Sequence, residues 1–168
     1  ILVNNAGGFL DPLTTLETTP AAWEQTLATN LTAPYLLCRE VLQGMSERGW
    51  GRIVNIASEV AVAPMLGNAV AYAAAKAGLI GFTKHLALEV AGTGITANVI
   101  NPGTIDTEHL DEVFASTPVA AEELRRTIPL GRFGTPAEVA ALVPYLASED
   151  GAYVTGAVFA VNGGRTMA

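Results

Sequence analysis

The sequence predicts an α/β fold with a doubly wound parallel sheet, and residues 1–168 are expected to form a single domain. Four short apolar runs rich in β-branched residues alternate with segments of helical periodicity; the runs cover residues 1–4, 52–57, 95–100 and 157–161. Each run is almost continuously apolar and stops at Gly, Pro or Asn, which is typical of parallel strands buried on both faces. Strands that alternate with helices throughout a chain indicate a sheet with helices on both sides.

The helical segments between these runs have recognisable starts and apolar stripes. Thr19 before Pro20, and Thr135 before Pro136, each place a capping side chain ahead of a proline at the first helical position. Glu138 completes a capping box with Thr135. Helices are therefore predicted from residue 20, over 33–48, over 72–90 and from residue 136. The expected buried stripes are Ala75, Leu79, Phe82 and Leu86 in the third helix, and Val139, Leu142, Val143 and Leu146 in the fourth.

Composition excludes several classes of protein. Hydrophobic residues make up 50% of the chain and charged residues 15%, so disorder is not expected. The net charge of -7 disfavours nucleic acid and anionic membranes as partners, because both would repel the chain. No apolar stretch approaches the roughly 18 residues of a membrane helix. The single cysteine, Cys38, suits a reducing compartment, so we expect a cytoplasmic protein with a buried structural thiol.

Most other polar residues are expected to have ordinary roles. No cluster of His, Cys, Asp and Glu has metal-ligand spacing, so no metal centre is predicted. His85 suits a solvent-facing or packing position, and Asp11, Glu17 and Glu59 suit solvated loops. His109 lies in the segment 107–127, which we expect to form a mobile helical lid; exposure there is a simpler interpretation of this histidine than substrate contact.

Tyr72 and Lys76 are the first residues that suggest chemistry. They lie four positions apart, on one face of the 72–90 helix. A tyrosine ordinarily has a pKa near 10, and a nearby ammonium lowers it by favouring the phenolate. The pair is therefore one way to make a general acid/base near neutral pH. An ordinary helix with an exposed lysine and a half-buried tyrosine explains the same two residues.

Three polar turns follow three of the predicted strands. Ser58 lies just beyond the 52–57 run, residues 4–7 end the first run, and residues 102–107 follow the third. Asn and Gly stop strands routinely, so each turn alone is ordinary. The carboxyl ends of parallel strands share one sheet edge, where ligands bind in such folds. Three such turns facing the tyrosine and lysine predict a ligand site.

This ordered set of motifs resembles the short-chain dehydrogenase/reductase family. The set consists of Asn4-Asn5-Ala6-Gly7, Ser58, the Tyr72-x-x-x-Lys76 pair and Pro102-Gly103, and the similarity continues to Val161-Asn162-Gly163-Gly164. The 3-oxoacyl-carrier-protein reductases and related sugar or polyol dehydrogenases are the most similar members. The resemblance implies a Rossmann-like fold, of which this chain is the C-terminal two-thirds, and interconversion of a carbonyl and a secondary alcohol with NAD or NADP.

The resemblance also implies a role for each catalytic residue. Tyr72 would exchange a proton with the substrate oxygen, while Lys76 would lower the pKa of Tyr72 and hold the nicotinamide ribose. Ser58 would hydrogen-bond the reacting oxygen, and Asn30 would hold a water that links Lys76 to solvent. The hydride comes from the cofactor, so the protein needs only groups that orient the substrate oxygen and a proton source. Further cofactor contacts are expected from Asn5, Ala6 and Gly7 on the adenosine side and from Pro102, Gly103, Ile105 and Thr107 around the nicotinamide, with the Ile105 backbone suited to the carboxamide.

Two departures from the family pattern leave a second hypothesis open. Ser58 precedes Tyr72 by 14 positions, one more than usual, and we expect the extra residue to form a bulge in 59–68. The glycine-rich phosphate loop is absent, as is the charged residue that chooses between NAD and NADP. We therefore expect the functional protein to be longer by roughly half this chain's length again, within the range of one domain. The alternative is a non-catalytic fragment or degenerate relative that acts as an oligomerising module.

The expected partners are a small carbonyl or alcohol substrate and further copies of the chain. The segments 59–68 and 107–127 are mostly small and apolar, which favours a neutral or partly apolar substrate; they contain Val60, Val62, Met65, Leu66, Val113 and Phe114. The family resemblance implies a homotetramer, or at least a dimer, built on the helices 33–48 and 72–90 and the C-terminal strand.

Overall fold

The structure is a computed structural model that describes residues 1–8, 14–64, 70–108, 110 and 118–167. The predictions for Asp11, Met65, Leu66, His109, Val113 and Phe114 lie outside these residues. The described elements, in chain order, are β1 (Leu2–Asn4), α1 (Pro20–Leu27), a π-helical turn (Ala28–Thr32), α2 (Ala33–Glu47), β2 (Gly51–Ile56), a 3₁₀ turn (Glu59–Ala61), α3 (Val70–Val90), a second 3₁₀ turn (Ala91–Thr93), β3 (Ile95–Pro102), α4 (Pro118–Arg126), α5 (Pro136–Ala140), α6 (Leu142–Ala147) and β4 (Val158–Val161).

The four strands form one parallel sheet in the order β1-β2-β3-β4. The central strands β2 and β3 are buried along nearly their whole length, so both of their faces are covered. Buried Asn55 and Asn98 interrupt their otherwise mainly apolar sequences. Ile53 pairs with Ala97, and Val99 pairs with Val158. Parallel pairing places the carboxyl ends of all four strands at one edge, as the sequence predicts.

Each face of the sheet has its own apolar core. On one face Ile53 and Ala97 pack with Cys38 and Met45 of α2 and with Leu86 of α3. On the other face the residues that pack against the sheet come largely from α5 and α6, and this cluster consists of Val54, Ile100 and Leu146 with Val139, Leu142 and Val143 packed against them. The doubly wound prediction is therefore confirmed.

Three local predictions can be compared with these elements. Thr19 caps α1, and Thr135 with Glu138 forms the predicted capping box. The helix expected from residue 136 is divided into α5 and α6 at Ala141. Pro144 explains the division, because it has no N–H to donate to the carbonyl four residues earlier.

The predicted character of Cys38 is confirmed. Its side chain is buried, and burial raises the pKa of the thiol to about 11, so the thiol stays protonated and inert. His85 is exposed on α3, as expected.

A buried polar chain ties β1, β2 and α3 together beneath the carboxyl edge. The Asn4 side-chain amide donates to Asn55 Oδ1 at 2.7 Å, and Asn55 Nδ2 donates to Thr83 Oγ1 at 2.8 Å. Thr83 Oγ1 in turn donates to the Leu79 carbonyl at 2.6 Å. Because hydrogen bonds are directional and unpaired buried donors are destabilising, this chain fixes α3 against the two strands.

Replacement of Thr83 by Val should therefore destabilise the protein. The variant keeps the side-chain shape but leaves Asn55 Nδ2 buried without its acceptor, which costs about 1–3 kcal/mol. Urea unfolding measures the change in the free energy of unfolding. Thr127→Val is the matched control, since Thr127 is exposed and bonds only to the Leu124 carbonyl in the described contacts. Equal stability of the two variants would contradict the importance of the polar chain.

Candidate active site

Ser58 and Tyr72 meet at the carboxyl end of β2. Ser58 lies two residues beyond this strand in an extended conformation, and Tyr72 lies in the first turn of α3. Burial raises the pKa of Tyr72, and a side-chain hydrogen bond with Ser58 lowers it in part. The net shift is upward, so the phenol is fully protonated at neutral pH.

Lys76 lies one turn further along α3 and is buried. Its Nζ donates to the carbonyl of Ile56, the last residue of β2, at 2.8 Å, and lies 5.5 Å from the centre of the Tyr72 ring. Burial lowers the pKa of Lys76 to about 8. The net pKa shift of Tyr72 is upward although Lys76 lies nearby, because desolvation is the largest effect on both groups. The predicted lowering of the Tyr72 pKa by Lys76 stays a prediction.

Asn30 is held inside the π-helical turn between α1 and α2. In this turn the Ala33 amide reaches back five residues to the Ala28 carbonyl. The buried Asn30 side chain donates to the carbonyls of Thr26 (3.0 Å) and Gly8 (2.9 Å), and its Oδ1 accepts from the Gly8 amide (3.0 Å). Asn30 thus fixes the segment after β1; its predicted water remains a prediction.

Gly7 brings the end of β1 close to Asn30 and Lys76. A Cβ atom placed on Gly7 would lie 2.6 Å from Asn30 Oδ1 and 3.1 Å from Lys76 Nζ, so only glycine allows this approach. Asn5 and Ala6 precede it and are exposed at the same sheet edge. The end of β1, Asn30 and the end of β2 therefore meet around the Lys76 ammonium.

Pro102 and Gly103 mark the carboxyl end of β3. The Gly103 amide donates to the Val161 carbonyl of β4 at 2.9 Å. Ile105 then forms an isolated parallel bridge with Gly134, in which Gly134 bonds to the residues on either side of Ile105. The peptide groups of Ile105 itself consequently point away from Gly134. Thr107 is exposed, and its hydroxyl accepts from the Leu110 amide at 3.3 Å.

Glu59 is a functional candidate that the sequence analysis placed wrongly in a solvated loop. Its side chain is only 3% exposed and is paired with Arg165, at 3.0 Å between Oε1 and Nη1. The two residues are 106 positions apart, so no local pattern signals the contact. The bulge expected in 59–68 stays a prediction, because residues 65–68 lie outside the described residues; the described part of the segment begins with the 3₁₀ turn Glu59–Ala61.

A cavity of about 410 Å³ lies beside the Ile105 bridge. Thr104 and Gly134, which flank that bridge, contribute to its wall together with Ile128, Leu130 and residues 160–164. Ser58, Tyr72 and Lys76 do not line it. In the described ranges no trio of His, Cys, Asp or Glu side chains is placed to hold a metal ion, and no helix there is long and apolar enough to cross a membrane.

Comparison with known proteins identifies the relatives of this chain. The family described as enoyl-(acyl carrier protein) reductase matches residues 1–166. A 3-oxoacyl-acyl-carrier-protein reductase of Aquifex aeolicus is 45% identical over 168 residues, which covers 98% of this chain and 64% of the relative. The chain belongs to the short-chain dehydrogenase/reductase family. It spans about two thirds of the length of the curated relatives that it matches.

Solved structures of short-chain dehydrogenases/reductases share the fold. An oxidoreductase of this family from Burkholderia thailandensis has a TM-score of 0.90 at 39% identity. The alignment covers 98% of this chain and 64% of that oxidoreductase. The structure described as ElxO with NADP bound has a TM-score of 0.91 at 32% identity, with 98% of this chain and 66% of that chain covered. The Rossmann-like expectation is therefore confirmed.

The low pKa of Lys76 predicts a specific pH dependence of stability. Between about pH 8 and its ordinary pKa of 10.5, the unfolded chain retains the Lys76 proton while the native chain has released it. Wild-type stability should therefore rise with pH in this window relative to Lys76→Met, by about 3 kcal/mol in total. Below pH 8 the difference between the two proteins should be constant.

Chemical denaturation at a series of pH values measures this difference. Lys84→Met is the matched control, since Lys84 lies on the same helix and is exposed. Curves for wild type and Lys76→Met that stay parallel from pH 7 to 11 would show that Lys76 has an ordinary pKa.

Proposed function

We propose that the complete protein reduces a carbonyl to a secondary alcohol with hydride from NAD(P)H. One observation carries this proposal: the Tyr72 phenol, hydrogen-bonded to Ser58, lies one helical turn from the buried Lys76 ammonium at the carboxyl edge of the sheet. This edge is where open parallel sheets bind dinucleotides. The relatives named as a reductase and as an NADP-bound protein support the same activity.

The residues at this edge fit a nicotinamide cofactor. Because Gly7 has no side chain, the backbone at the end of β1 lies close to the buried Lys76 ammonium, which would donate to ribose hydroxyls. Lys76, Tyr72, Asn5, Ala6 and Gly7 would hold the nucleotide from one side. From the other side the contacts would come from Pro102, Gly103, Ile105 and Thr107. The nicotinamide supplies the hydride when bound, and the proposal covers both NAD and NADP.

The protein's own groups handle the oxygen and the proton. Ser58 and Tyr72 orient the carbonyl oxygen by hydrogen bonds, and the Tyr72 phenol gives up its proton to the oxygen as negative charge develops there. Because burial raises the pKa of Tyr72, this group is protonated at neutral pH and ready to act as an acid. That state favours the reductive direction. Lys76, with a pKa of about 8, is mostly an ammonium at pH 7 and stabilises the transient phenolate.

We propose a 3-oxoacyl thioester as the substrate. The name of the Aquifex aeolicus relative supports this class. The described residues 60–64 are small or apolar, and Val60 is buried while Val62 is exposed. A neutral ketone within a flexible acyl chain suits such surroundings. A non-catalytic module has no physical need for a buried lysine beside a tyrosine, so the catalytic hypothesis is preferred.

We further propose a cytoplasmic homo-oligomer. The exposed side of α2 carries Tyr35, Leu36 and Leu37, which are 45%, 49% and 50% exposed. The exposed positions of α3 include the small residues Ala74, Ala77 and Gly81. Large apolar side chains beside small residues suit close packing of helices from two copies.

Replacement of Tyr72 by Phe should abolish most of the turnover. The variant loses the proton donor but keeps the ring, so the rate should fall by ~10²–10⁴-fold. The measurement is the oxidation of NADPH or NADH in the complete protein with a 3-oxoacyl thioester. Thermal unfolding with each nucleotide serves as the control, because the variant should remain stabilised by the cofactor. Turnover equal to wild type would exclude Tyr72 as the acid, and a wild type that neither turns over nor binds nucleotide would support the non-catalytic module.

The proposed homo-oligomer can be tested at the exposed face of α2. Light scattering at micromolar concentration should give at least twice the mass of one protomer. Leu36→Arg should shift the protein toward smaller species, since a charge in an apolar interface is destabilising. Arg39→Lys on the same helix is the control, because it keeps the charge at an exposed position. A wild type with the mass of a single protomer would exclude the oligomer.

A further inference from the structure

The ion pair of Glu59 and Arg165 joins the end of the chain to the site. Arg165 Nη1 donates to Glu59 Oε1 at 3.0 Å and to Thr104 Oγ1 at 3.3 Å. Glu59 is the direct neighbour of Ser58, and Thr104 is the direct neighbour of Ile105. One guanidinium nitrogen thus bridges the segment that follows Ser58 and the turn after β3.

The segment after β4 is shaped to present Arg165 at this point. Gly163 and Gly164 have φ values of 64° and 83°, a left-handed conformation that glycine adopts without strain. The side chain of Asn162 stabilises the turn, since its Oδ1 accepts from the Gly164 amide at 3.1 Å and its Nδ2 donates to the Thr166 hydroxyl at 2.6 Å. The Arg165 amide donates to the Asn162 carbonyl at 3.2 Å. Arg165 is therefore anchored by its own backbone.

Gly103 receives the other side of the same arrangement. A Cβ atom on Gly103 would lie 2.8 Å from Asn162 Cα and 3.2 Å from Glu59 Oε2. Glu59 Oε2 is itself buried and has no hydrogen-bond partner in the described structure. The carboxylate thus occupies the space beside Gly103 that a side chain would fill, and in the described structure only its Oε1 is paired.

We propose that Glu59 and Arg165 are positioning residues that hold Ser58 and the 102–105 turn at a fixed separation in the active site. The inference rests on the proposed function, because Ser58 would contact the substrate oxygen and the 102–105 turn would border the nicotinamide. Neither Glu59 nor Arg165 would itself contact the substrate oxygen or the nicotinamide. It acts through the 3₁₀ turn Glu59–Ala61 on one side and through Gly103 and Thr104 on the other.

The energetics of a buried ion pair suit positioning better than stability. Removing both charges from water offsets much of their attraction, so such a pair adds little net stability. Removing one partner leaves the other buried and uncompensated, so the segment that carries it rearranges. A displacement of about 1 Å at a reacting group reduces a rate by up to ~10²-fold. Loss of Arg165 should therefore be detected locally, in the turn that carries Glu59 beside Ser58.

The test compares Arg165→Met, Arg165→Lys, Glu59→Gln and the double variant Glu59→Gln/Arg165→Met in the complete protein. Hydrogen exchange reports on the amides of Ala61, Val62 and Ala63, which bond to the carbonyls of Ser58 and Glu59. Arg165→Met should raise exchange of these amides and lower kcat by ~10–100-fold, while KM changes less. Arg165→Lys should recover much of both, because it keeps the charge facing Glu59. The double variant should be no slower than Arg165→Met, since the two residues act as a unit.

Glu149→Gln is the matched control. It makes the same carboxylate-to-amide change in a surface ion pair with Arg52, a residue at the start of β2 and so away from the carboxyl edge. In this variant the hydrogen exchange of the amides of residues 61–63 and the kcat should equal those of wild type.

Exchange in 61–63 that is unchanged by Arg165→Met overturns the positioning role whether or not the protein is active. Raised exchange with wild-type kcat in Arg165→Met also overturns it, since the pair would then be purely structural. If the double variant loses as much rate as the product of the two single losses, the two residues act independently. That result would contradict the claim that they act as a unit. A wild type without turnover overturns the proposed function itself, and this result is independent of the exchange measurement.

Discussion

The hydrogen bond from the buried Lys76 ammonium to the Ile56 carbonyl is the constraint around which the site is arranged. A desolvated cation needs compensation, and within the described structure burial is the only resolved influence on its pKa, with no carboxylate beside it. The carbonyl at the end of β2 supplies one acceptor. The rest of the surroundings must stay small or polar, which explains Gly7 at the end of β1 and Asn30 beside it. The same bond fixes α3 relative to β2, and so determines where Tyr72 meets Ser58.

Small residues make this arrangement sterically possible. Ala71 and Ala75 are almost fully buried on α3, so the helix lies close to the sheet. Gly78 allows contact with Leu31 of the π-helical turn, where a Cβ would be 3.0 Å from the leucine methyl. The polar chain through Asn55 and Thr83 then fixes the rotation of the helix. Apolar packing alone would tolerate sliding along α3, whereas directional bonds at both Lys76 and Thr83 do not.

The sequence predicts those parts of the fold whose causes are local. The capping box at Thr135 and Glu138, the stripe of α3 and the four strands depend on residues near one another in the chain. Family motifs then indicate Ser58, Tyr72 and Lys76. Features that depend on tertiary burial were predicted wrongly or missed. Glu59 carries a charge in a turn and was therefore assigned to solvent, because its partner Arg165 is distant in sequence.

The pKa of Tyr72 illustrates the same limit. Spacing in a helix shows that an ammonium is nearby, and Coulomb's law then favours the phenolate. Spacing does not show how much water both groups lose, and desolvation is the larger effect here. The direction of a pKa shift in a buried site therefore requires the packing, even where every participating residue is recognised in the sequence.

The π-helical turn Ala28–Thr32 implies a restriction on chain length as well as on residue type. In this turn the N–H of one residue bonds to the carbonyl five residues earlier, so the turn contains one residue more than an α-helical turn. Each α-helical residue advances the chain by about 100° around the axis. Deleting one of the other residues of this segment would let α1 and α2 merge into a regular helix, but it would change the rotation of Asn30 relative to Gly8. Homologues should therefore vary freely in the exposed side chains of this turn, Ala28 and Thr29, and keep its number of residues constant.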